Sequence, residues 1–221
     1  MRIKPLLARV VLPTAVLAVT TGIGTAASAA PSPSSQSSRA STTPKPTAAV
    51  ADTVGERLRD GGYVIYFRHA STDMSTSDST DNLADCTLQR NLNAAGRADA
   101  RAIGREWKRL RLPVGTVLSS RYCRTRDTAR LAFGRFTPST DITALPPASP
   151  ERARRVRALR RLLAQPPARA NTILVAHQYN IEEATGTSLE EGEAAIFEPR
   201  GRRGFRLVAK IKPRAWAQLR P

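Results

Sequence analysis

Tyr63-Val64-Ile65-Tyr66-Phe67 runs straight into Arg68-His69, and Thr172-Ile173-Leu174-Val175-Ala176 runs straight into His177-Gln178. Each run is short, continuously apolar and rich in β-branched or aromatic residues, the pattern of a strand buried on both faces of a parallel sheet. Gly61-Gly62 stops a short helix over 53–59 ahead of the first run. Asn93 is placed to cap a helix over 94–110, with Ala98, Ala102, Ile103 and Trp107 or Leu110 on its apolar face, and Pro113 breaks it. Beyond Pro113, 114–118 reads as a second strand, 122–133 as a helix and 141–144 as a weak third strand. Pro150 then starts an arginine-laden helix over 151–163, with Val156, Leu159 and Leu163 inward. A short helix runs from His177 to Gly186, and 194–197 and 205–211 form a closing strand pair around a Gly201–Gly204 turn. Strands alternating with helices predict a layered α/β sheet over residues 51–221.

In such a sheet chemistry gathers at the carboxyl ends of the strands. The chain has two histidines, and both fall at such an end. A lone histidine is usually a satisfied core or surface imidazole; two at the same sheet edge point to a site. Arg68 sets a fork-shaped cation beside His69, and Ser119-Ser120-Arg121-Tyr122-Cys123-Arg124 ends a second strand with further arginines.

Composition limits what that site can be. The 221 residues carry 35 Lys+Arg against 18 Asp+Glu, a formal charge of +17, with two Cys and 41% hydrophobic residues. That is enough apolar material for a core, too few cysteines for a disulfide scaffold, and too few histidines for a His-rich metal centre. The charge suggests anionic partners without fixing a fold.

The first residues read as an export signal. Arg2, Lys4 and Arg9 precede an apolar stretch over 10–27, and Ala27-Ser28-Ala29 supplies a small-x-small cleavage pattern, giving a signal peptide over 1–29. Residues 30–50 are Pro, Ser, Thr and Ala with hardly a large apolar side chain, the composition of a flexible tether. A secreted or envelope-associated protein follows. In that compartment an even cysteine pair is expected to close a Cys86–Cys123 disulfide. Nucleophilic use of Cys123 in a Cys-x5-Arg arrangement is excluded, because Ala129 stands where the arginine would have to be.

The three motifs together resemble the histidine phosphatase superfamily, the phosphoglycerate-mutase-like enzymes. That family has Arg-His-Gly after its first strand, Ser-Ser-Pro-x-x-Arg-x-x-x-Thr-Ala after the second, and a histidine after a later one. Arg68-His69, then Arg124 with Thr128-Ala129, then His177 match these in order, and Leu92 with Gly96 looks like the family's lead into its first long helix. The resemblance spans most of 62–211 and implies a three-layer α/β/α sandwich with a mostly parallel sheet. It also implies hydrolysis of a phosphate monoester through a phosphohistidine, without metal or cofactor. His69 is then the nucleophile, Arg68 and Arg124 clamp the phosphate with help from amides at the start of the following helix, and His177 stabilises the phosphoryl oxygens. Thr72 takes a position at which the family often has a phosphate-binding hydroxyl.

Ala70 and Arg121 depart from the family's Gly and Pro. The alanine matters only if that backbone needs a positive φ. Arg121 would add a cation at the pocket rim. Cationic neighbours should hold His69 unprotonated. No carboxylate stands at the family's acid positions, which leaves Glu151, Asp73 and Glu193 as candidates for the general acid. The rival readings are a catalytically silent anion- or nucleic-acid-binding module built on Arg152, Arg154, Arg155, Arg157, Arg160 and Arg161, and a phosphoglycerate-type mutase. The physiological phosphorylated substrate is left open between a small molecule, a phosphoprotein and an envelope polymer.

Overall fold

A computed structural model describes residues 48–79 and 82–220. Its elements run α1 (Ala48–Asp60), β1 (Val64–Arg68), α2 (Ala94–Arg109), β2 (Val114–Ser119), α3 (Cys123–Phe133), β3 (Thr137–Pro138), α4 (Pro150–Ala164), β4 (Asn171–Ala176), α5 (Gln178–Thr185), β5 (Ala194–Pro199) and β6 (Phe205–Ile211), with short 3-10 turns at 86–88, 201–203 and 213–218. The expected signal peptide, 1–29, and the expected tether up to residue 47 lie outside the described residues. Residues 48–50, expected in the tether, open α1 instead, since Ala48-Ala49 continue the helix backwards and alanine is the strongest helix former.

The two apolar runs are neighbours, with β1 parallel to β4 and Arg68 opposite Ala176. That pairing puts His69 and His177 side by side at one sheet edge. The sheet order is β3-β2-β4-β1-β5-β6; β2 and β3 are also parallel, and only β5 runs against β1 and β6. Because side chains alternate along a strand, β1 feeds two cores. Ile65 and Phe67 pack with Leu58, Ile103, Trp107, Ala129 and Trp216, the layer of α1, α2 and α3. Val64 and Tyr66 pack with Leu159, Leu163, Leu174 and Ile181, the layer of α4 and α5. The three-layer α/β/α sandwich with a mostly parallel sheet is therefore written into one five-residue strand.

Two local expectations are corrected. Residues 141–144 are not a strand: Ile142 is buried, but Thr143 N–H bonds Thr140 O in a turn, and the third strand is the two-residue β3. The apolar face of α2 keeps Ile103, Trp107 and Leu110, as expected, but Ala98 is exposed and Gly96, Ala100 and Gly104 complete the buried side instead. The glycines set that face. A Cβ at Gly96 would stand 2.0 Å from Ser71 O, and one at Gly104 2.4 Å from Ala132 O. The helix thus touches the loop after His69 through bare backbone.

The arginines of α4 are largely internal fasteners. Arg152 pairs with Glu183, Arg154 with Glu151 and Asp141, Arg155 with Glu151 and Ala144 O, and Arg160 donates to Ala184 O. Four of the six side chains offered as a basic binding face are thus committed to α5 and to the loop before α4. The surface reading of that helix loses its main support.

Candidate active site

His69 leaves the end of β1 and is almost fully buried. Its Nδ1 lies 3.0 Å from Ala70 O, and a carbonyl can only accept, so Nδ1 carries the hydrogen and Nε2 keeps its lone pair. Ala70 adopts no positive φ, so its methyl costs the backbone nothing, and its N–H donates to Thr128 Oγ1 at 3.1 Å. Thr128 in turn donates to Arg124 O. The Thr of the second motif thereby ties the loop of the first to α3.

His177 faces His69 edge-on, with ring centroids 5.7 Å apart. Arg124 Nη2 lies 3.4 Å from His177 Nδ1; arginine only donates, so Nδ1 accepts and Nε2–H donates to Ser120 Oγ at 2.8 Å. Tyr66 Oη donates to His177 O at 2.6 Å and fixes the strand end from below. Tyr122 packs against both the His177 ring and the Arg124 guanidinium. Arg68 donates to Leu189 O at 2.8 Å. The structure therefore brings together His69, Arg68, Arg124 and His177, the four residues expected to act.

Both imidazoles are held neutral. Burial pushes His69 down to about 3, helped by Arg124, Arg68 and Arg90. The cationic neighbours were expected to do this; loss of water does more. Burial first, then Arg124, drives His177 well below the ordinary histidine range. An unfolded chain takes up these protons near pH 6.5 and the folded one does not, so stability falls as pH drops below that value. The expected slope is about 1.4 kcal/mol per pH unit for each histidine. Urea unfolding between pH 7 and 5 checks this, and His69→Asn should flatten the slope.

Other expected participants fall elsewhere. Arg121 is exposed and lines a hollow with Leu83, Ala84, Arg126, Phe136 and Pro138, a lining that includes neither histidine. The first amide of α3, Cys123 N–H, is taken by Gln89 Oε1 at 2.9 Å, so it is not offered to a phosphate. Thr72 is buried at the site, but its hydroxyl donates to Glu191 Oε1 at 2.9 Å. Among the described residues the carboxylates of the three acid candidates contact neither the histidines nor their arginines; Glu193 meets Arg68 through its backbone alone, its O accepting the Arg68 N–H at 3.1 Å. Glu151 is gripped by Arg154 and Arg155, Asp73 by Ser75, and Glu193 accepts Glu190 N–H beside Lys210.

Three charged residues that the sequence reading passed over stand there instead. Glu191 accepts from Thr72 and lies 3.6 Å from Arg68 and 4.0 Å from His69 Nδ1. Asp78 accepts from Arg124 Nη1 at 2.9 Å and from the backbone N–H of Arg90 at 2.9 Å. Arg90 is close enough to lower both histidines. The buried Nε–H groups of Arg68, Arg90 and Arg124 have no partner among the described residues. Unsatisfied buried donors are costly, and three on guanidiniums around one imidazole make a cradle suited to a tetrahedral oxyanion. Among the described residues no group of three or more His, Cys, Asp or Glu is arranged to hold a metal.

The disulfide expected from the cysteine pair is present, with Cys86 and Cys123 Cα atoms 5.7 Å apart. It holds the segment carrying Gln89 and Arg90 against the start of α3. A larger hollow at the opposite end of the sheet, lined by Gly115, Leu118, Leu162, Pro166 and Arg169, lies at the amino ends of β2 and β4 and meets none of these groups.

The family model of the histidine phosphatase superfamily, branch 1, matches residues 64–146. A search of curated proteins by sequence finds no match. Among solved structures, a candidate alpha-ribazole-5'-P phosphatase from Escherichia coli superimposes with a TM-score of 0.51 at 14% identity, covering 66% of this chain and 95% of that one. The SixA protein of Agrobacterium tumefaciens, a candidate phosphohistidine phosphatase, covers 69% of this chain and 99% of its own at 20% identity and a TM-score of 0.46.

Proposed function

We propose that this chain, a member of the histidine phosphatase superfamily, hydrolyses a phosphate monoester through a phosphohistidine formed on His69. The observation that carries this reading is the His69 imidazole, neutral, with Nδ1–H fixed on Ala70 O, Nε2 without a hydrogen-bond partner among the described residues, His177 facing it and Arg68, Arg90 and Arg124 near enough to act on its charge. A phosphate dianion needs fixed cations, and guanidinium groups meet its oxygens in bidentate fashion. Attack by Nε2 on phosphorus expels the leaving oxygen, and water then releases the phosphoryl group. His177, linked to Arg124 and Ser120, stands where it can steady the phosphoryl oxygens as charge builds on them.

Water is the better acceptor than a second substrate. Between α3 and β4 the chain supplies only β3, a turn and α4, and α4 is packed on the sheet through Leu159 and Leu163. The basic start, apolar stretch and Ala27-Ser28-Ala29 pattern, together with the Cys86–Cys123 bond, support action outside the cytoplasm.

The test is phosphate release from p-nitrophenyl phosphate by the protein in EDTA, followed by denaturation in alkali, where a phosphohistidine survives, and mass spectrometry of the His69 peptide. Turnover in EDTA with a phosphoryl group on that peptide is expected. Turnover with no phosphopeptide at any pH, or none without added metal, overturns the mechanism. Arg90→Ala should lower kcat/KM about 10- to 100-fold, mostly through KM, as loss of one charge-assisted contact predicts. Steady-state kinetics on the same ester reads this directly.

A further inference from the structure

We infer that Asp78 is the proton donor to the leaving group and the base that activates water in the second step, an assignment that rests on the phosphatase reading above. Two carboxylates touch the cations of the site, and their positions separate their roles. Glu191 lies on the Nδ1 side of His69, tied to both the N–H and the hydroxyl of Thr72 and beside Arg68. An acid must reach the oxygen expelled opposite the attacking Nε2, so the Nδ1 side is the wrong one. Glu191 holds Arg68 and Thr72 in place.

Asp78 occupies the other edge. Arg124 presents one amino group, Nη2, to His177 and the other, Nη1, to Asp78. The Arg124 side chain is 6% exposed and that of Asp78 26%, so the arginine forms the wall and the carboxylate stands toward solvent. Asp78 is held there by the Arg90 N–H, within a loop whose Ser79 N–H bonds Leu88 O. A phosphate bound between Arg124 and His69 therefore meets Asp78 on its outer side. Two anions on one guanidinium repel unless a proton lies between them, and that proton is the one the leaving oxygen needs.

The step balances. The Nε2 lone pair forms the N–P bond while the ester P–O bond breaks toward the leaving oxygen, which takes the Asp78 proton and departs as an alcohol. Water then attacks phosphorus and gives a proton to the Asp78 carboxylate, and the N–P electron pair returns to Nε2. One water is consumed, and inorganic phosphate is released.

The experiment compares Asp78→Asn and Asp78→Glu with the wild type on p-nitrophenyl phosphate, whose phenolate leaves without a proton, and on glycerol 2-phosphate, whose alkoxide does not. General acid catalysis predicts a fall of about 10²-fold or more in kcat/KM on the alkyl ester for Asp78→Asn, a fall of a few-fold on the aryl ester, and partial recovery in Asp78→Glu. Equal losses on both esters would mark damage to the Arg124 clamp and overturn the assignment. Unchanged or higher activity on the alkyl ester would make Asp78 a mere occupant of Arg124 and also overturn it. Wild-type protein inactive on both esters would remove the phosphatase reading itself, and the assignment with it.

Discussion

His69→Ala should release phosphate at least about 10³-fold more slowly than the wild type, the scale on which removal of a catalytic nucleophile is felt. Among the described residues the His69 ring makes one hydrogen bond, to its neighbour's carbonyl, and otherwise faces His177 within the field of the guanidiniums, while its backbone bonds to Ala176 O and Gly192 N–H do not depend on the side chain. Its removal leaves the sheet pairing of Arg68 with Ala176 and the Ala70–Thr128 link in place. The variant should therefore unfold as a folded domain does while losing turnover. It should still bind an oxyanion such as vanadate, because Arg68, Arg90 and Arg124 remain. Since burial holds the folded His69 down at about 3, wild-type kcat/KM should show no loss from a protonated nucleophile down to about pH 4. An anion-binding protein without catalysis would give equal, negligible phosphate release from both proteins, and that result would retire the enzymatic reading.

The fold and the central four residues are legible in the sequence because each rests on a local pattern. Two continuous apolar runs ending in histidine specify two adjacent parallel strands, and their adjacency alone places His69 beside His177. Arg68 and Arg124 follow from their places next to a strand end and at a helix start. The acidic members and the third arginine are not local. Asp78 and Arg90 lie in a polar stretch with no periodicity, and Glu191 sits in a Glu190-Glu191-Gly192-Glu193 turn where nothing separates one glutamate from its neighbours. A signal for Arg90 did exist. Once Cys86 is joined to Cys123, the residue four positions beyond Cys86 cannot be far from Arg124. The glycine part of the α2 face is hidden for a different reason: glycines read as neither apolar nor polar, yet at Gly96 and Gly104 the neighbouring backbone leaves no room for a Cβ.

That linkage makes Cys86→Ser/Cys123→Ser the second large effect, one that should strike stability and catalysis together. The bond closes a separation of 37 residues, for which the chain-entropy account gives roughly 4 kcal/mol. In a domain of this size that loss corresponds to a fall in Tm of about 10 °C. Arg90 lies four residues beyond Cys86, and its N–H holds the carboxylate of Asp78, so the bond bears on both residues that the loop delivers to the site. Gln89, itself buried, crosses the same gap by accepting Cys123 N–H and donating to Leu83 O and Asp85 O. In the double serine variant that side chain and the Asp78 carboxylate, shared between Arg124 and the Arg90 N–H, must hold the segment against α3 without the covalent bond, and Arg90 gains freedom to move. The expected signature is a lower Tm accompanied by a KM for p-nitrophenyl phosphate raised about 10-fold, the size of one weakened charge-assisted contact. Reduction of the wild type with a phosphine should reproduce both changes. A lower Tm with unchanged KM would mean that Gln89 and Asp78 suffice to place Arg90, and the disulfide would then serve stability alone. An unchanged Tm would show that the crosslink removes little entropy from the unfolded chain, contrary to the stabilisation assigned to it.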